Sequence, residues 1–245
     1  MKMITKSKQK AFTLIEYMVA ITIGLILLAG ITYLFLGMKR STDTQSAISN
    51  LQESGRFALY FLSDDIQNAG WADVEESGYG VYTSPAFLFG AGETADGGAA
   101  DVSDSITVRY EADTDCVGGA SGGIVENNYY VKDGQLVCSG NSGGTAALIS
   151  NINLAHFFYG VDTDGDSAPN KFLKASDIDP SEQESIAAVK IILLLSSDGP
   201  VRQSPSAQSY TIANEGTYEI SDRKARKIFT TTVVIPNKPA FVISP

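Results

Sequence analysis

Asp162-Thr-Asp-Gly-Asp166 places three carboxylates at alternate positions, the densest set of metal-ligand atoms in the chain. Asp162, Asp164 and Asp166 would offer hard oxygen donors of the type calcium takes. A complete EF-hand loop wants Gly at its sixth position and Glu at its twelfth, and Ser167 and Leu173 stand there. A calcium site would therefore be a looser one, drawing on Asn170, Asp177 or Asp179. The same residues suit an acidic turn joining strands around Tyr159 and Phe172, because Asp and Gly favour tight turns. Apart from calcium no cofactor is expected, since no phosphate loop, zinc-ligand spacing or dinucleotide fingerprint is present. His156, the one histidine, lies in the apolar run Leu154-Ala-His-Phe-Phe158 and reads as a packed side chain. No serine sits in a G-x-S-x-G elbow. Asp64 and Asp65 are neighbours on a helical pattern and so point in different directions. An enzyme is not expected.

A fourth carboxylate is placed differently. Residues 12–36, from Phe12 to Leu36, form one apolar stretch broken only by Glu16, threonines and glycines. At about 1.5 Å per residue it can span a bilayer, and it is too long for the core of a secretory signal. Lys2, Lys6, Lys8 and Lys10 precede it and orient the N-terminus to the cytoplasm. A carboxylate in such a span costs about 2.5–3.5 kcal/mol on insertion scales, so Glu16 calls for a partner. If the chain were cut before Phe12, the new α-amino group would lie one helical turn from Glu16. A plain signal anchor bearing a binding or sensor domain remains the alternative, and it predicts no cut.

The basic leader, the small residue Ala11 and then Phe12-Thr-Leu-Ile-Glu-Tyr-Met-Val-Ala20 resemble the class III signal of type IV prepilins. That resemblance implies cleavage between Ala11 and Phe12 on the cytoplasmic side, methylation of the Phe12 amine, and registration of neighbouring subunits by Glu16. The family normally has Gly where this chain has Ala11, and often a mid-span Pro that is lacking here. Further on, Leu51-Gln-Glu-Ser-Gly-Arg-Phe-Ala-Leu59, then Leu62-Ser-Asp-Asp-Ile66 and Ala69-Gly-Trp71, resemble the PilW family of minor pilins. The likeness is dense over residues 12–73 and thinner beyond, through Asp104–Tyr110, Tyr129–Cys138 and Arg226–Val234. It implies a non-catalytic subunit taking part in pilus assembly and priming. Its implied partners are other major and minor pilins, the prepilin peptidase and methyltransferase, and the inner-membrane assembly platform. A pseudopilin of a type II secretion machine is the alternative within the same class.

These residues need elements to hold them. Ile48, Leu51, Gly55, Ala58, Leu62, Ile66 and Ala69 recur at helical spacing, with Phe57, Leu59 and Phe61 widening the stripe and Gly70 as C-cap. Span and amphipathic stretch would join into one long helix. From Trp71 the chain reads as short strands: Gly80–Thr83, Ser105–Tyr110, Asn128–Lys132, Gln135–Cys138, Ile152–Val161, Ile186–Leu195, Ser209–Ala213 and Lys227–Ile235. Asp133-Gly134 signals a type I′ hairpin. Ala91–Asp101 and Gly118–Gly123 read as loops. The expected fold is α+β and pilin-like, the helix packed on a mainly antiparallel sheet. Its expected parts are a leader (1–11), a membrane or filament-core helix (12–36), its amphipathic continuation (37–70) and a periplasmic β-rich domain (71–245).

Charge and cysteines agree with export. The formal charge is −10, and losing the four leader lysines leaves 14 basic against 28 acidic residues, which argues against nucleic acid as a partner. Cys116 and Cys138 are an even pair in polar, Gly-rich sequence, so a disulfide is expected outside the cytoplasm. The expected location is the inner membrane, single-pass with the C-terminal domain periplasmic, followed by entry into the pilus.

Overall fold

The computed structural model describes residues 13–72, 86–89, 102–213 and 215–237. The expected strand at 80–83 and the expected loop at 91–101 lie outside them. The chain divides into two compact units, Met1–Ser46 and Ala47–Pro245.

The helix α1 (Leu14–Gln67) runs 54 residues. Thr13 caps its start: the Glu16 amide donates to Thr13 Oγ1 at 3.4 Å, the Thr-x-x-Glu spacing of a capping box. Gly70, at φ +79°, ends the turn that follows, and its amide is taken by the Arg109 carbonyl at 2.8 Å. In the first unit the large apolar side chains from Leu14 to Met38 are 44–79% exposed. This part of the helix is long and apolar enough to cross a membrane. Its threonines hide their hydroxyls, Thr22 on the Val19 carbonyl and Thr32 on the Leu28 carbonyl, which removes a cost of entering hydrocarbon.

In the second unit the helix buries Leu51, Gly55, Ala58, Leu62, Asp65 and Ile66. Most of the expected stripe is therefore the core-facing one, although Phe57 remains 55% exposed. The sheet is not single. One antiparallel sheet, ordered β1-β2-β3-β4, contains β1 (Ile106–Thr114), β2 (Ala120–Lys132), β3 (Gln135–Gly140) and β4 (Thr145–Ser150). A second contains β5 (Ile152–Val161), β6 (Lys171–Leu173), β7 (Ile186–Pro200) and β10 (Lys224–Val234), ordered β10-β7-β5-β6. The hairpin β8–β9 (Ser206–Ile212 and Gly216–Asp222) forms its own two-stranded sheet.

The helix and both larger sheets share one core through Leu51, Leu62, Ile66, Tyr129, Phe157 and Leu193. On the other face of the second sheet, Leu154, Phe158, Ile192 and Leu194 meet Ile212, Tyr210 and Tyr218 of the hairpin. Being covered on both faces explains why β5 and β7 read as continuous apolar runs rather than alternating ones. Gly118–Gly123, expected to be a loop, instead enters β2 at Ala120, which pairs with Thr114. The glycines disguised that strand, with Gly122 and Gly123 at φ +73° and +115°. The Asp133-Gly134 turn is as expected, with both φ values positive (+52° and +72°) and Lys132 paired with Gln135.

Candidate functional site

Glu16 sits in the first turn of α1, among side chains that are all exposed. Among the described residues nothing in its own unit covers this surface, which suits it to burial by lipid or by neighbouring chains. Ala11 and Phe12 lie outside the described residues. The functional surface of the first unit is thus the apolar helix itself, with one carboxylate near its start.

The second unit holds its stretch of helix by two devices absent from the sequence reading. Gly55 admits the ring of Phe229, on β10, to the helix backbone; a Cβ at residue 55 would lie 2.4 Å from ring carbons. Ten residues on, the buried Asp65 accepts hydrogen bonds from Tyr110 Oη (2.5 Å), Tyr129 Oη (2.9 Å) and Asn127 Nδ2 (3.2 Å). Helix and first sheet are thereby fastened by a carboxylate with three donors. Burial pushes the Asp65 carboxyl upward against the opposing pull of those donors, and burial beside Asp65 raises both tyrosines. Asp64 is exposed, so the two adjacent carboxylates do diverge. The signal available in sequence was an acidic residue between Leu62 and Ile66 on an apolar stripe.

The cysteines form the Cys116–Cys138 disulfide, with Cα atoms 6.4 Å apart. It ties the β1–β2 connection to β3, and Cys138 is fully buried despite its polar sequence surroundings. Beside it Asp115 accepts from the amides of Val117, Gly119 and Ser142 and from Ser142 Oγ (2.5 Å). Burial alone would raise the Asp115 carboxyl, but these donors outweigh it and hold it below the usual range.

Asp162, Asp164 and Asp166 do converge, with carboxylate oxygens within 4.8 Å of one another. Asp162 is buried, and its oxygens accept the amides of Gly165 (2.7 Å) and Ser167 (2.9 Å). Asn170 completes the loop by accepting the Thr163 amide and donating to Asp164. These bonds organise an acidic turn between β5 and β6 by themselves. His156 is fully buried, its Nδ1 lying 3.3 Å from Asp104 Oδ1, while Asp104 Oδ2 takes the Phe157 amide. Asp104, through the Phe157 amide and its own amide on the Ala155 carbonyl, fastens the segment before β1 to the edge of β5.

An exposed apolar helix, long enough to cross a membrane, continuing into a helix clasped on antiparallel sheets is the architecture of a helix-anchored, β-rich protein. Comparison with known families agrees. Residues 6–32 match the prokaryotic N-terminal methylation motif, and residues 124–237 match type IV pilus-assembly protein W (PilW). No curated protein matches the chain in sequence. A solved type IV-like pilin from Thermus thermophilus is similar with a TM-score of 0.44 and 14% identity, over 76% of this chain and 96% of that one. The two matches together are those of a type IV pilus-assembly protein with an N-terminal methylation motif, to which this chain is similar. The PilW match falls on 124–237, whereas the likeness in the sequence motifs is densest over residues 12–73.

Proposed function

We propose that the chain is a minor pilin that helps prime pilus assembly. In this reading a prepilin peptidase cuts between Ala11 and Phe12, and the new Phe12 amine is methylated. Glu16 then meets the Phe12 amine of a neighbouring subunit and sets its register. The observation that carries the reading is Glu16 itself: a carboxylate in the first turn of an otherwise apolar, exposed stretch of helix, residues 14–36, inside the methylation motif. A charge so placed is costly in lipid and is satisfied by an opposite charge on a packed neighbour.

The remaining roles follow from the same architecture. The apolar helix packs first in the inner membrane and then among other pilins, guided there by the assembly platform. The β-rich domain, outside the membrane, supplies lateral contacts. Deleting the gene tests the assignment. Loss of surface pili with protein secretion intact supports it, whereas loss of secretion with pili intact assigns the chain to a secretion pseudopilus instead. Complementation with Glu16→Ala is expected to leave the protein in the membrane and the pili absent.

A further inference from the structure

Within Ala47–Pro245 there are 26 acidic and 12 basic residues, yet five of the basic ones, Arg202, Arg223, Lys224, Arg226 and Lys227, meet at one end of the unit. The backbone brings them together. Val201 and Arg202 both donate their amides to the Arg223 carbonyl (2.8 and 3.0 Å), Arg223 Nε returns a bond to the Arg202 carbonyl, and Lys224 pairs with Pro200. Arg226 is consumed internally, held by both oxygens of Asp222 and by Asn153 Oδ1. Among the described residues Arg202, Arg223, Lys224 and Lys227 enter no ion pair, and Arg223 and Lys227 are exposed. The anions beside it among the described residues include Asp222, Asp198 and Glu53, which lines a cavity with Asp198.

The position of the cluster matters as much as its sign. A cavity of about 30 Å³ is walled by Ala47 and Asn50 on one side and by Ser196 and Asp198 of β7 on the other. Two residues beyond Asp198, Pro200 pairs with Lys224. The basic cluster therefore lies at the end of the unit that contains its first residue, Ala47. Only ten residues, Gly37–Ser46, connect Ala47 to Leu36 at the end of the apolar stretch.

We propose that Arg202, Arg223, Lys224 and Lys227 form a membrane-contact surface that seats this end of the domain on anionic phospholipid headgroups. The inference rests on the chain being membrane-anchored. Guanidinium and ammonium groups match phosphate oxygens in charge and in donor geometry. Fields at an anionic surface fade within about 8–10 Å at physiological salt, so only groups held near the surface feel them. Only ten residues separate this end from the apolar stretch, and an acidic domain without such a cluster would be repelled by that surface. The contact belongs to the subunit waiting in the membrane and is broken when the subunit enters a filament.

The test uses the full chain, one copy per lipid nanodisc, either zwitterionic or rich in phosphatidylglycerol, with a membrane-impermeant amine reagent. Lys171 serves as the internal control, since it pairs with Val161 at the far end of β5 from Ile152. In the anionic disc, labelling of Lys227 is expected to fall by roughly threefold or more, with Lys171 unchanged and the protection lost at about 0.5 M salt. Arg202→Glu with Arg223→Glu should abolish the protection; the salt series on the unaltered chain reads the same term if that variant does not fold. Equal labelling of Lys227 in both discs overturns the proposal. So does protection that needs several copies per disc, which would indicate a second copy as the partner. A chain that stays with neither disc overturns the anchoring and this contact with it.

Discussion

Gly55 and Phe229 are in direct contact, the ring of the strand residue lying where a side chain at position 55 would begin. Phe229 is 8% exposed and sits opposite Leu193 in the ladder, so its ring cannot swing clear without disturbing β7. Gly55→Ala gains helix propensity of about 1 kcal/mol but must displace a packed ring, which costs typically ~1–3 kcal/mol. Net destabilisation is expected, on the order of 1 kcal/mol, with partial recovery in Gly55→Ala/Phe229→Leu. Chemical denaturation of the full chain in detergent checks this; a more stable Gly55→Ala protein would contradict the contact.

Asp65 gives a mutational and a pH prediction. Asp65→Ala leaves the Tyr110 and Tyr129 hydroxyls without their acceptor, and Asn127 Nδ2 with Tyr110 Oη alone, and is expected to cost about 3–5 kcal/mol, whereas Asp65→Asn keeps one acceptor and should cost less. Because burial raises the folded-state value above the ordinary 3.8, the group's contribution is complete below 3.8 and declines as pH rises through the folded value. Stability of the wild type relative to Asp65→Asn should therefore fall from acid toward neutral pH. Denaturation midpoints of the two proteins across that range are the measurement, and a constant difference would contradict it.

Asp222 predicts the opposite slope. Its bidentate bond to Arg226 is the main cause that holds the carboxyl down at about 2, despite some desolvation. A depressed value contributes fully above the unfolded value and is lost as pH falls through the folded one. Between about pH 4 and 2 the wild type should lose stability that Asp222→Asn never had, so their acid-unfolding curves should converge at the low end.

The disulfide closes a loop with a sequence separation of 22. On the chain-entropy account its loss costs about 3 kcal/mol. Cys116→Ser/Cys138→Ser is expected to lower the unfolding midpoint and to abolish any effect of reductant on it. A midpoint that still shifts with reductant would contradict that reading.

Sequence showed the parts whose signals are local. The apolar stretch, the Leu51–Ile66 stripe, the Asp133-Gly134 turn and the exact limits of β5 all follow from periodicity or turn chemistry. Pairings between distant segments left no such mark. β4 and β9 were not foreseen, being short or polar, β6 was marked only as a strand around Phe172, and β2 was cut short by its glycines. Asp65 looked like an ordinary helix acid because its partners, Tyr110, Asn127 and Tyr129, are 45–64 residues away. Gly55 looked like an interruption, since its reason is a ring 174 residues on. Glu16 was legible because a charge in an apolar span is anomalous wherever its partner lies.

The central claim is that this chain is processed as a prepilin and acts through Glu16 and a new N-terminus. Mass spectrometry of the protein extracted from membranes tests it most directly. The account predicts an N-terminal peptide beginning at Phe12 and carrying one methyl group, dependent on the prepilin peptidase. An intact Met1 N-terminus in cells with active peptidase would contradict it.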